Sequence, residues 1–192
     1  MLIRSLTQRI EWLATHNRLF YKLTAQYYKN IILREARLAH IRENDNLLCI
    51  GGGPCPYTAI MLHKLTGVRV TVVDNNQGCV ARSQELIKRM RLDKDIHILH
   101  NEGDAVNCRG FSIIHLAMQI SPKEQVLKSL WQKAQVGAKI LVRMPKSALC
   151  KFYCCSRSGA ELACSGSVLH DRFSNVHNTF LYIKEDPCEI SA

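Results

Sequence analysis

The chain predicts an α/β domain with a mostly parallel sheet flanked by helices, preceded by a helical N-terminal extension. Three observations carry this expectation. From residue 46 onward, short apolar runs alternate with helix-like segments, the pattern of a parallel sheet covered on both faces. The first run, Asn46 to Ile50, leads straight into Gly51-Gly52-Gly53-Pro54-Cys55-Pro56-Tyr57-Thr58, and a helix pattern follows. Glycine there lets the backbone turn tightly and approach a ligand without a Cβ, at the strand end where open α/β sheets bind ligands. The second run, Val68 to Val73, ends on Asp74, about twenty residues past the glycines, where a ribose-binding carboxylate is expected.

The elements follow in order. Ile3, Leu6, Ile10 and Leu13 recur on one helical face, and Tyr28, Ile31, Ile32, Glu35 and Leu38 crowd a second helical stretch. Residues 1–45 are therefore assigned to a helical extension or lid, and residues 46–192 to the ligand-binding domain. Strand 47–50 precedes a helix near 56–66, then strand 68–73 and a helix near 76–91. Strand 96–100 and strand 111–116 come next, separated by a loop from Gly103 to Gly110. Ser121-Pro122-Lys123-Glu124 predicts a capped helix start, with Ser121 as cap, Pro122 at the first position and Glu124 closing a capping box. Val126, Leu127, Leu130, Trp131 and Ala134 give that helix an apolar face, Gly137 ends it, and residues 138–142 read as a fifth strand. Beyond it, Ser156 to Gly159 and Ser165-Gly166-Ser167 read as loops, and Asn178 to Lys184 as a closing strand.

Composition sets the bounds. A chain of 192 residues, 47% hydrophobic and 22% charged, fits one globular domain, and no apolar run reaches the length of a membrane span. The arginines near the N-terminus lack the continuous apolar core of a secretory signal. Nine scattered cysteines, an odd number, read as reduced thiols of a cytoplasmic protein. The net charge of +10 permits nucleic-acid or anion binding. The basic residues are spread over helices rather than gathered into one arm, so solvated faces are the preferred reading and nucleic acid is disfavoured as a partner.

A glycine-rich strand–turn–helix suits either a dinucleotide or S-adenosylmethionine. A dinucleotide site wants a further glycine where this chain has Pro56, which also lacks an N–H. Asp104-Ala105, after the third strand, can receive the exocyclic amine of an adenine, although Asp104 also suits a turn. S-adenosylmethionine is thus the expected cofactor. Gly51, Gly52, Gly53 and Pro54 would sit at its tail, Asp74 and Asn75 at its ribose, Asp104 and Ala105 at its base, and Met118 completes the wall.

At these residues the chain resembles the class I S-adenosylmethionine-dependent methyltransferase superfamily, with its Rossmann-like fold, and within it the nicotianamine synthase-like family. Residues Gly51 to Thr58 match that family's Gly-x-Gly-Pro-x-Pro-x-Thr turn, and Tyr27-Tyr28-Lys29-Asn30 resembles its Tyr-Tyr-x-Asn segment. Arg143 and Tyr153 match the ends of its Arg-x-x-x-Gly-x-Arg-x-x-x-Tyr run, whose middle positions are Ser147 and Leu149 here. The resemblance implies transfer of the aminocarboxypropyl group of S-adenosylmethionine to an amine, leaving methylthioadenosine. The alternatives are methyl transfer to a small molecule, less favourably to RNA, and a degenerate member that binds the cofactor without catalysis, which Leu149 in place of the family arginine favours.

The expected acceptor is a small-molecule amine or amino acid. Tyr27 and Tyr28 either line its pocket or pack the N-terminal helix on the sheet. Glu35 is either an acid or base or a solvated carboxylate, and Arg143 either a substrate-anion partner or half of a salt bridge. Tyr153 joins this catalytic group through the family run. A metal site is not expected: Cys150, Cys154, Cys155 and Cys164 lack paired Cys-x-x-Cys spacing, and His97 and His100 fall on opposite faces of a strand. One assembly left open is a homodimer in which a second copy completes the short N-terminal part.

Overall fold

A computed structural model of the chain describes residues 18–146, 163–172 and 174–186. In chain order they form α1 (Arg18–Leu38), β1 (Asn46–Ile50), α2 (Tyr57–Thr66), β2 (Arg69–Asp74), α3 (Gln77–Arg89), β3 (Ile96–His100) and β4 (Ile113–Leu116). Then come α4 (Lys123–Lys133), β5 (Lys139–Pro145), β6 (Gly166–Leu169) and β7 (Val176–Ile183). The strands make one seven-stranded sheet in the order β3-β2-β1-β4-β5-β7-β6. β1 to β5 pair in parallel, and β7 inserts antiparallel between β5 and β6.

Alternation along each strand sorts the core into two layers. Leu47 and Cys49 of β1, Val70 and Val72 of β2, Ile113 of β4, Leu141 of β5 and Leu181 of β7 face α1, α2 and α3. Leu48 and Ile50, Val73, Ile114 and Leu116, Ile140 and Val142, and Tyr182 face α4 on the other side. Register then brings a polar set together on the first face. Cys49 pairs in register with His115, and Arg143 with Thr179. The side chains of Cys49, His115, Arg143 and Thr179 therefore crowd one face of the sheet at the carboxyl ends of β1, β4 and β5.

The mostly parallel sheet flanked by helices is as the alternation predicts, with two local differences. Gly166-Ser167 lies in β6 rather than in a loop. It is an edge strand, and its pairing with β7 (Gly166 to Leu181, Ser167 to Phe180) overrides the poor strand propensity of glycine and serine. The capping box at Ser121 does not form. Pro122 has extended backbone (φ −77°, ψ 119°) and occupies the N-cap position without a side-chain cap, so the helix starts one residue later. Ile3 to Leu13, Ser156 to Gly159 and the cysteines at 150, 154 and 155 lie outside the described residues, as do Ser147, Leu149 and Tyr153. No helix among the described residues is long and apolar enough to cross a membrane.

Candidate active site

A cavity of about 360 Å³ opens at the carboxyl ends of β1, β2, β4 and β5. One half of it is built on the glycine turn. Gly51 leaves β1 with φ +87° as its N–H donates to the Val73 carbonyl at 2.7 Å, and Gly53 has φ +61°. A Cβ on Gly52 would lie 2.3 Å from Val72 Cγ1, so the turn can lie this close to β2 only as glycine. Asp74 locks the arrangement: its Oδ2 accepts the Gly53 N–H at 2.8 Å and its Oδ1 accepts the Asn76 N–H at 2.9 Å. Asn76 in turn caps α3 by accepting the Cys79 N–H at 3.1 Å.

Gly51, Gly52, Gly53, Asp74, Asn75 and Met118 all line the cavity. Pro54, Asp104 and Ala105 do not. The Asp104 carboxylate accepts from Gln125 Nε2 at 3.2 Å, and its backbone carbonyl takes the Ser129 hydroxyl and the Lys133 ammonium, which turns this residue toward α4. The acidic side chain that reaches the cavity beside Asn75 is instead Glu102, whose Oε2 accepts the Asn75 amide at 3.1 Å.

The other half lies beneath α1 and α2. Tyr28, Cys49, Tyr57, Thr58, His115, Arg143 and Val176 line it. Tyr57 is sandwiched in an aromatic ladder, 5.2 Å from Tyr21 and 5.6 Å from Tyr28 between ring centroids, both contacts stacked. Burial raises the Tyr57 phenol above its ordinary range. Tyr27 stands outside the cavity, edge-on to Tyr28, and its hydroxyl accepts the Asn175 N–H at 2.7 Å.

Glu35 is the surprise of α1: it has no exposed surface. Arg143 Nε donates to its Oε1 at 2.7 Å and Nη2 to its Oε2 at 2.6 Å, while the Thr179 hydroxyl donates to Oε1 at 2.7 Å. Burial pushes the Glu35 acid upward, but the charge of Arg143, the neighbouring His115 and the hydrogen bonds outweigh it and hold the carboxyl well below its ordinary range. Burial alone would lower Arg143, but Glu35 raises it above its ordinary value. A further guanidinium N–H reaches Thr58 Oγ1 at 3.0 Å, and the Arg143 group stands 6.0 Å from the Tyr28 ring centre. Of the two readings for Arg143, it forms the salt bridge, and Glu35 is not solvated.

His115 escaped the sequence analysis. Its Nε2 lies 3.3 Å from Glu35 Oε2, off the direction of a hydrogen bond. Burial first, and then Arg143, depress its pKa against the opposing pull of Glu35, which keeps the ring neutral. Its one sequence signal is a histidine inside an apolar strand; the register with Cys49 that places it at the site comes from the sheet. Burial also pushes the Cys49 thiol up to about 12. No cluster of three or more His, Cys, Asp or Glu side chains placed to hold a metal occurs among the described residues.

No family model matches the chain. Among curated proteins, an L-histidine 2-aminobutanoyltransferase of Yersinia pestis is 21% identical over 127 residues, 66% of this chain and 48% of that protein. The chain thus spans about half the length of the curated relative it matches. Among solved structures, a mutant of the nicotianamine synthase MtNAS in complex with S-adenosylmethionine superposes with a TM-score of 0.81 at 21% identity, over 95% of this chain and 74% of that one. MtNAS in complex with MTA and tNA gives 0.79 at 22% identity, over 95% and 71%. An RNA methyltransferase from Salinibacter ruber in complex with S-adenosyl-L-homocysteine gives 0.65 at 13% identity, over 82% and 92%. The chain has the Rossmann-like fold of the class I methyltransferases, with a nicotianamine synthase among its structural relatives.

Proposed function

We propose that the protein is an S-adenosylmethionine-dependent transferase that moves the aminocarboxypropyl group to the amine of a small molecule. The observation that carries this reading is the continuity of the cavity. It runs from the glycine turn, Asp74 and Glu102 into a chamber walled by Tyr28, Tyr57, Thr58, His115 and Arg143. The first half suits a nucleoside with a short zwitterionic tail, because Asp74 and Glu102 offer acceptors to ribose hydroxyls and the turn brings backbone close to the tail. The second half suits a small acceptor placed in line with one of the carbons on sulfur. Attack on the tail's Cγ carbon gives methylthioadenosine; attack on the methyl gives S-adenosylhomocysteine. The likeness to MtNAS and to the Yersinia pestis transferase supports the first.

Glu35 and Arg143 compensate each other, so their role here is to hold α1 over the acceptor half and exclude water. A reduced, cytoplasmic setting, read from the odd number of scattered cysteines, is part of this proposal. Calorimetry with S-adenosylmethionine, followed by chromatography of the nucleoside released in the presence of amino acids, tests the reading. Methylthioadenosine as product supports it. S-adenosylhomocysteine makes the protein a methyltransferase, and absence of binding removes the cofactor.

A further inference from the structure

Arg143 is 5% exposed and lines the cavity, and its guanidinium is not wholly spent on Glu35. A guanidinium carries five N–H donors in one plane. Glu35 takes two of them, from Nε and Nη2, and Thr58 Oγ1 takes one from Nη1. One N–H on Nη1 and one on Nη2 are left without a partner among the described residues. Unpaired donors this deep in a fold are costly unless a ligand or water meets them. Thr58, also on the cavity wall, has the same surplus: its hydroxyl oxygen accepts from Arg143, so its own proton remains to be donated. Helix α2 begins beside it at Tyr57 with no side-chain cap, and the N–H groups of Thr58 and Ala59 have no acceptor among the described residues. Ala59 lines the cavity too. Every one of these groups is a donor. Because α2 follows directly on the glycine turn, the set stands where the two halves of the cavity join.

We propose that Arg143, Thr58 and the first turn of α2 form a subsite for an α-carboxylate, an assignment that rests on the transfer reading above. The chemistry follows from the donor set. An ionised carboxylate only accepts, and its two oxygens take several donors at once. Its hydrogen bonds to a guanidinium are short and strong. The uncapped helix terminus adds backbone donors and partial positive charge. Glu35 already balances the charge of Arg143. The subsite therefore favours a zwitterion over a bare anion, because the ligand's own ammonium keeps the bound state neutral. Two molecules of the proposed reaction carry such a group: the methionine tail of S-adenosylmethionine, and an amino-acid acceptor. Ribose hydroxyls find their acceptors elsewhere, at Asp74 and Glu102.

Thr58→Val tests the subsite, since Arg143 also holds Glu35 and cannot be changed without loosening α1. Calorimetry of the full chain compares S-adenosylmethionine, its decarboxylated analogue and methylthioadenosine, which has no tail. Methylthioadenosine release is then followed against the concentration of each of a panel of amino acids. Expected is a loss of about 10- to 100-fold in one of two places, with methylthioadenosine affinity within about threefold of wild type. If the cofactor's carboxylate fills the subsite, wild type prefers S-adenosylmethionine to the decarboxylated analogue and Thr58→Val narrows that preference. If the acceptor's carboxylate fills it, cofactor affinity holds and KM for the amino acid rises more than kcat falls. Thr58→Ser should restore wild-type values in either case, because it returns the hydroxyl. An unaltered preference, together with an unaltered KM or no transfer at all, overturns the proposal. So does an equal loss of methylthioadenosine affinity in Thr58→Val, which makes Thr58 a packing residue. If wild type binds none of the three nucleosides, the transfer reading fails and takes the subsite with it. Binding that Thr58→Val leaves unaltered, with transfer also unaltered, removes the subsite alone.

Discussion

Arg143 and Glu35 meet through two parallel hydrogen bonds of 2.7 and 2.6 Å, with Glu35 wholly out of solvent and Arg143 5% exposed. The pair joins the helix that roofs the cavity to the central sheet. Two charges taken out of water repay their desolvation only with this bidentate geometry and with Thr179 and Thr58 satisfying further positions.

Removing one partner leaves the other charged and buried. Glu35→Gln or Arg143→Met is expected to cost about 3–5 kcal/mol of unfolding free energy by denaturant titration, with the double variant losing less than the sum. The acid is held below its ordinary value of 4.5 in the fold, so its contribution is complete above that value and is lost as pH falls. Thermal melts should decline more steeply on acidification in wild type than in Glu35→Gln.

Gly52→Ala tests the turn. The added methyl meets Val72 Cγ1 at 2.3 Å, and Val72 is itself buried in the core, so backbone or strand must shift. Overpacking of this kind costs about 1–3 kcal/mol. Calorimetry should find S-adenosylmethionine binding weakened more than the melting point alone explains, since the turn itself is displaced.

Asp74→Asn keeps one acceptor oxygen of the two that fix Gly53 and Asn76. A lost hydrogen bond to a charged acceptor is worth about 1.5–3 kcal/mol. Cofactor affinity should fall by about 10- to 100-fold, with the circular dichroism spectrum unchanged. Undiminished affinity would leave Asp74 without a part in the site.

The Arg34–Asp171 pair, at 2.6 Å, also ties α1 to the β6–β7 side, but its side chains are 38% and 45% exposed. Solvent screens such a pair to at most about 1 kcal/mol. Asp171→Ala should therefore shift the unfolding midpoint only slightly, in contrast with the buried pair formed by Glu35, the next residue of the same helix.

The parts of this site that are local in sequence could be read from it. The glycine turn and Asp74 carry their meaning in spacing and strand context, and Arg143 in its place at a strand end. Glu35 could not be read in this way. Helical periodicity put it on the face of Tyr28, yet its burial depends on an arginine 108 residues away and a threonine 144 residues away. His115 was hidden because a histidine among Ile113, Ile114 and Leu116 looks like a core residue until strand register sets it beside Cys49. Asp104 sits where an adenine partner is expected, but helix α4 supplies donors that turn it aside, and no local pattern foretells that. The β6 edge strand was missed for a related reason, since its pairing partner rather than its own composition makes it a strand.

The antiparallel insertion of β7 also sets an order of events during synthesis. Glu35 leaves the ribosome long before Arg143, and Thr179 comes later still. Until both exist, the carboxylate is better off hydrated, and helix α1 has neither its counter-charge nor the β7 hydroxyl to settle against. Helix α1 is thus the first described element to be made, yet the two side chains that compensate its buried carboxylate come from β5 and β7, near the end of the described chain.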